Sequence, residues 1–240
     1  MRRVVLAVVS LLVVLQAVPA AAEPTTPPVQ TGQNLPPLVA TGLYDAGDGF
    51  GPQITAYHDS GQYLADQKSI AWQAIGYLDN YVAQCRATAG CKPAIVFDID
   101  DTLLSWYSFY AKRGFNPTGP QWSAGVKNCQ TPVITPVVAL YNHAKALGVT
   151  PFLITGRNDT DRSDTAKCLK KRGITGYGAL IMRSADQEDL TAAVYKLRER
   201  EKLAGQGWDL ALAIGDQVSD SAGEVPTGKF VLPNPMYFIP

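Results

Sequence analysis

Along residues 57–82, Tyr63, Ile70, Ala74, Leu78 and Val82 recur at spacings of four and seven, which predicts an amphipathic helix over that stretch. His58 at its start reads most simply as a surface or capping residue. Downstream the pattern changes. Short apolar runs at 93–98, 149–154, 178–183, 210–214 and 229–232 have the length and continuity of buried strands. Between them, helices fit 134–147, ended by Gly148, and 160–172, with Asp159 as N-cap and Gly173 as stop; a third fits within 188–204. His143 falls on the first of these as a partly buried helix residue. Apolar strands alternating with helices predict an α/β fold, a Rossmann-like parallel sheet covered on both faces. Ligands of such sheets gather beyond the carboxyl ends of the strands.

The two ends of the chain's first quarter fall outside this pattern. Residues 1–22 carry Arg2 and Arg3, then an uncharged apolar stretch, then Ala20 and Ala22 in an A-x-A arrangement. That predicts a secretory signal peptide cut after Ala22. The apolar run is shorter than the ~20 residues of a membrane span, so no stable anchor is expected after cleavage. Residues 23–53, rich in Pro, Gly, Thr and Gln, predict an extended surface segment.

Composition narrows the chemistry. The 21 basic and 21 acidic residues balance, and removing Arg2 and Arg3 leaves 19 basic against 21 acidic. A near-neutral surface argues against binding nucleic acid through phosphate neutralisation. Four cysteines, Cys85, Cys91, Cys129 and Cys168, predict two disulfides in an exported chain. Three pairings are open; Cys85–Cys91, a short loop through Gly90, is favoured, which leaves Cys129–Cys168. With two histidines and no C-x-x-C spacing, a zinc site is not expected.

Charge is crowded where the first strand ends. The stretch "AIVFDIDDTLL" places Asp98, Asp100 and Asp101 directly after four apolar residues. Desolvated carboxylates so close repel unless something positive compensates them. Asp216 follows the run 210–214 in "AIGDQVSD", with Asp220 four residues on, which implies a hard cation with oxygen ligands such as Mg²⁺. Thr155 and Gly156 end another buried strand in "LITGRND", where a hydroxyl and backbone N–H groups can hold an oxyanion. Lys196, in "YKLRERE", is the candidate second positive charge. Taken singly, that lysine reads as part of a solvated helix face and Thr155 as an ordinary cap.

In order and spacing, "FDIDDTLL", "LITGR", "YK" and "GDQVSD" resemble the haloacid-dehalogenase-like (HAD-like) phosphohydrolases. Within them, "YHDSGQYLADQ" and the ending "LPNPMYFIP" resemble the secreted class B-type (subfamily IIIB) acid phosphatases, a group that includes bacterial outer-membrane acid phosphatases and plant vegetative storage proteins. The resemblance implies a HAD-like domain over 54–240 with an N-terminal helical segment and a small cap insertion. It implies a Mg²⁺-dependent phosphomonoesterase in which Asp98 is the nucleophile and Asp100 the acid and base. Thr155, Gly156 and Lys196 would bind the phosphoryl group, and Asp98, Asp100 (through its carbonyl), Asp216 and Asp220 would surround the metal. Mg²⁺ and Lys196 would favour the ionised form of Asp98, while Asp100 would hold a proton beside it. Asp101 is read as a turn or cap residue. Leu197 departs from the family, where Ser tends to follow the Lys, and the chain lacks the cysteine of lipid-anchored members.

Asp100 separates reaction types: a halide leaves without an acid, whereas an alkoxide needs one. A storage or binding protein on the same fold and a phosphotransferase using the same phospho-aspartate are the alternatives. Trp106, Tyr107, Phe109, Tyr110 and Trp122 either stack on a substrate ring or pack together. The short interval between Thr155 and Lys196 leaves no room for a large lid, so an open site tolerant of many phosphomonoesters, 5′-nucleotides included, is expected.

Overall fold

The computed structural model describes residues 44–45 and 47–240, with side chains from Gly49 onward. The expected signal peptide and most of the segment 23–53 lie outside the described residues. The remainder of that segment is not coil. Strand β1 covers Tyr44–Asp45, and helix α1 runs Gly47–Asp59. The expected single helix over 57–82 is two helices, α1 and α2 (Gln62–Arg86), because Gly61 at φ 81° takes a left-handed turn between them. His58, 42% exposed at its side chain, stacks flat on Tyr107 with ring centroids 3.5 Å apart.

Five parallel strands form the sheet: β2 (Pro93–Phe97), β3 (Thr150–Asn158), β4 (Ala179–Arg183), β5 (Asp209–Gly215) and β6 (Gly228–Val231), in the order β4-β3-β2-β5-β6. Each matches an apolar run read from the sequence. Connections are made by α3 (Tyr107–Ala111), α4 (Gly119–Lys127), α5 (Thr135–Ala146), α6 (Arg162–Lys171) and α7 (Ala192–Gly205). Asp159 is not the N-cap of α6. It opens a one-turn 3₁₀ helix, Asp159–Asp161, and its carboxylate pairs with Arg162. The stops hold: Gly148 and Gly173 adopt φ 77° and 79°.

The period-two alternation of β2 shows why helices cover both faces. Ile95 and Phe97 pack with Ile70, Ala74 and Leu78 of α2, Val137 and Leu140 of α5 and Leu169 of α6. Ala94 and Val96 face the other way, against Tyr195 and Leu203 of α7. A third cluster stands apart from the sheet. Ile54 of α1, Trp106, Tyr107, Phe109, Phe115, Val126, Met236 and Tyr237 form a small cap whose core is aromatic. Most of the aromatic residues of the insertion are therefore packing. Gly125 permits it, since a Cβ there would lie 2.7 Å from Trp106.

The disulfides are Cys85–Cys91 and Cys129–Cys168. The second ties the end of the cap to α6. The antiparallel pair β1 and β7 (Tyr237–Phe238) closes the structure beside the cap. Among the described residues no helix is long and apolar enough to cross a membrane.

Candidate active site

Strands β2, β3, β4 and β5 all end on one edge, where a cavity of about 420 Å³ opens, lined among others by Asp98, Asp100, Gly156, Arg157, Arg183, Lys196 and Asp216. The two carboxylate segments meet because β2 and β5 are neighbours in register, Phe97 beside Ile214. Asp98 continues β2, donating its N–H to Ile214 O at 3.0 Å. Asp216 follows β5 by one residue. Asp98, Asp216 and Asp220 each present an oxygen within 4.8 Å of the others, and all three are buried.

Gly215 makes this convergence possible. A Cβ there would fall 1.9 Å from Asp220 Oδ2, so only glycine lets the 3₁₀ turn Val218–Asp220 fold back on the strand end. The turn is latched by Gln217 N–H, which donates to Asp220 Oδ2 at 2.8 Å. The buried Arg200 guanidinium donates to the Val225 carbonyl at 2.7 Å and to those of Asp220 and Ala222. Burial pushes its pKa down to about 10.

Lys196 reaches in from α7. Its Nζ donates to Asp98 Oδ1 at 2.7 Å and also to Asp220. Burial works against its charge, but the two carboxylates more than compensate and raise its pKa. Asp98 itself is raised well above the carboxylate range, because burial and the charges of Asp220, Asp216 and Asp100 outweigh Lys196. Asp216 has no cationic partner among the described residues. It accepts from Thr102 Oγ1 at 3.2 Å and from Asn234 Nδ2 and Gln217 Nε2, both at 2.7 Å. Burial first, then Asp220 and Asp101, push its pKa up to about 8. A buried carboxylate held only by neutral donors, beside two others sharing one lysine, fits a divalent cation: the donors are hard oxygens and the local charge is deficient.

Asp100 has different company. Arg157 grips it through Nη2 at 2.6 Å and Nε at 3.0 Å, and Trp106 Nε1 adds a hydrogen bond at 2.5 Å. Burial opposes ionisation, yet Arg157 and Trp106 win and hold this carboxyl below its ordinary value. The protein groups alone therefore act on the two carboxyls in opposite directions, raising Asp98 and lowering Asp100.

Thr155 is fully buried, and its Oγ1 accepts from Arg157 N–H at 3.2 Å. The hydroxyl serves the turn, while Gly156 beside it lines the cavity. Asp101 is a turn residue, at φ 51°, and it is also a strut. It accepts from Trp106 N–H at 2.8 Å and Tyr237 Oη at 2.9 Å, fastening the cap and the C-terminal strand to the β2 loop. Leu197 points away to Gly223, whose Cβ would come within 2.5 Å of it, so the departure at this position does not reach the cavity. Sequence reasoning gave no role to Arg157, Gln217 or Asn234. Their partners are set by tertiary folding, although Arg157 lies in the segment "LITGR" directly after Thr155 and Gly156.

A parallel sheet whose strand ends gather buried aspartates from two crossovers, a lysine and an arginine defines an α/β protein with an acidic, cation-ready centre. Comparison with known proteins gives the family. Residues 48–240 match the sequence model of the HAD superfamily, subfamily IIIB (acid phosphatase), and the chain belongs to that family. It is 33% identical over 185 residues to vegetative storage protein 1 of Arabidopsis thaliana, covering 75% of this chain and 67% of that one. It is 33% identical over 148 residues to acid phosphatase 1 of Solanum lycopersicum, covering 60% and 58%. The fold is similar to that of the class C acid phosphatase of Bacillus anthracis, with a TM-score of 0.61 and 21% identity over 78% of this chain and 86% of that one. The chain is thus a phosphomonoesterase of the acid phosphatase type.

Proposed function

We propose that the protein is an exported, Mg²⁺-dependent acid phosphatase that hydrolyses phosphomonoesters through an aspartyl-phosphate on Asp98. The observation that carries this is the convergence of Asp98, Asp216 and Asp220 within 4.8 Å, with Lys196 Nζ hydrogen-bonded to Asp98.

Asp98, Asp216, Asp220 and the Asp100 carbonyl would hold the cation, which supplies the positive charge that four neighbouring carboxylates and a phosphate require. An Asp98 oxygen attacks phosphorus, forming the O–P bond as the bond to the ester oxygen breaks. Asp100 passes a proton to the departing alkoxide, then takes one from the water that attacks phosphorus and releases Asp98. Its grip by Arg157 bears on timing. An incoming phosphate dianion competes for the guanidinium, and loosening that ion pair lets Asp100 take up the proton it must deliver. Gly156 N–H and Lys196 Nζ face the phosphoryl oxygens, and the buried Thr155 fixes the loop that presents them.

The cavity has the volume of a small-molecule site, and Trp122 and Tyr110 on its wall suit broad specificity that includes 5′-nucleotides. Export rests on the A-x-A leader and the two disulfides. A second reading, a storage protein on this fold, is favoured by the likeness to vegetative storage protein 1. The intact Asp98–Lys196–Asp220 cluster favours catalysis over it. Hydrolysis of p-nitrophenyl phosphate, abolished by EDTA and restored by Mg²⁺, tests the proposal; absence of turnover with Mg²⁺ present overturns it.

A further inference from the structure

Three cations line the cavity, and two are already neutralised: Arg157 by Asp100, Lys196 by Asp98 and Asp220. Arg183 is the third, and among the described residues it has no carboxylate partner. Its Nη1 donates to the carbonyls of Leu190 at 2.8 Å and Glu188 at 3.3 Å, and its guanidinium carbon lies 5.0 Å above the Tyr195 ring. Its Nε is buried without a hydrogen-bond partner. The loop carbonyls and the ring anchor one side of a planar, permanently charged group, and the charge is left uncompensated at the cavity wall. Arg183 ends β4, two strands across the sheet from β2, which bears Asp98. At ~4.8 Å per strand, the two backbones stand about 10 Å apart, and an arginine side chain spans much of that gap.

Resting on the phosphatase reading, we infer that Arg183 is a specificity-determining residue that selects phosphomonoesters carrying a second anionic group, a carboxylate or a further phosphate, a few bonds from the scissile ester. Nothing in the hydrolysis itself needs this cation. A second anion on the substrate would give Nη2, the nitrogen that the loop carbonyls and burial leave available, a charge-assisted partner. An uncharged substituent would leave it as it is.

The test compares kcat/KM within matched pairs: 3-phosphoglycerate against glycerol 3-phosphate, and 1,3-propanediol bisphosphate against its monophosphate. p-Nitrophenyl phosphate serves as the reference for turnover. The expected result is a preference of about tenfold or more for the doubly anionic member of at least one pair. The pair that shows it identifies carboxylate or phosphate as the recognised group. The preference should fall to within about twofold in Arg183→Gln and be partly kept in Arg183→Lys. If Arg183 only supports the loop after β4, Arg183→Gln lowers both members of each pair alike and keeps the ratio, which overturns the inference. Turnover of p-nitrophenyl phosphate by the unaltered protein with ratios near one overturns the inference and leaves the phosphatase reading standing. Failure to hydrolyse any ester removes both.

Discussion

Lys196 Nζ lies 2.7 Å from Asp98 Oδ1, joining the middle of α7 to the loop beyond β2 across 98 positions of sequence. The pair is buried on both sides, at 8% and 6% side-chain exposure, and Asp220 shares the lysine. One ammonium held between two carboxylates balances only part of their charge. The rest is left for a cation.

Removing that lysine should therefore hurt twice. Lys196→Met leaves Asp98 and Asp220 facing each other without compensation, a loss of the kind that costs about 3–5 kcal/mol for a broken buried pair. Denaturant unfolding in EDTA should show this drop, and Mg²⁺ should recover part of it. Phosphatase activity should fall at least a hundredfold.

Gly215→Ala pushes a methyl into the space of the Asp220 carboxylate, 1.9 Å from Oδ2. Overpacking of this sort costs roughly 1–3 kcal/mol. Since it displaces an expected metal ligand, the Mg²⁺ concentration for half-maximal activity should rise by more than the loss of stability explains. Titration of activity against Mg²⁺ measures it.

The Asp100–Arg157 pair predicts a pH dependence of stability in chelator. Arg157 and Trp106 hold the folded pKa of Asp100 below its unfolded value of about 3.9. Its stabilisation is therefore fully present above the unfolded value and is lost as pH falls through the folded one. Asp100→Asn should be less stable than the parent near pH 7. The difference should shrink below about pH 4, as seen in urea unfolding midpoints across that range.

The two disulfides close loops of unequal size, 6 and 39 residues in sequence separation. By chain entropy the longer is worth about 4 kcal/mol and the shorter about 2. Replacing Cys129 and Cys168 by Ser should lower the thermal midpoint more than replacing Cys85 and Cys91, as measured by calorimetry.

The sheet was legible in the sequence because its strands are buried on both faces and read as unbroken apolar runs. The break at Gly61 was hidden, since the apolar stripe begins only at Tyr63 and a lone glycine is tolerated inside a helical pattern, so nothing ahead of it marked a separate helix. The 3₁₀ turn at Asp159 escaped because an acidic residue ahead of an amphipathic stretch reads the same whether it caps the α-helix or a turn before it. In the site, the carboxylates were legible through their crowding at strand ends, whereas Lys196, within α7, was legible only through the family resemblance. The grip of Arg157 on Asp100 was not, because 57 residues separate them and only the alignment of β2 with β3 brings them together. The same holds for Asn234 and Gln217 on Asp216: neutral amides carry no pattern of their own.

The central claim is that buried aspartates from β2 and β5 share a divalent ion while Asp98 attacks phosphorus. It is tested most directly by p-nitrophenyl phosphate turnover of Asp98→Asn beside the parent protein, each with Mg²⁺ and with EDTA. Circular dichroism would confirm that both are folded. The parent should be active only with Mg²⁺, and the variant, in either condition, should be slower than the Mg²⁺-supplied parent by at least about a thousandfold. A folded Asp98→Asn protein that keeps parental turnover, or a parent indifferent to EDTA, would contradict it.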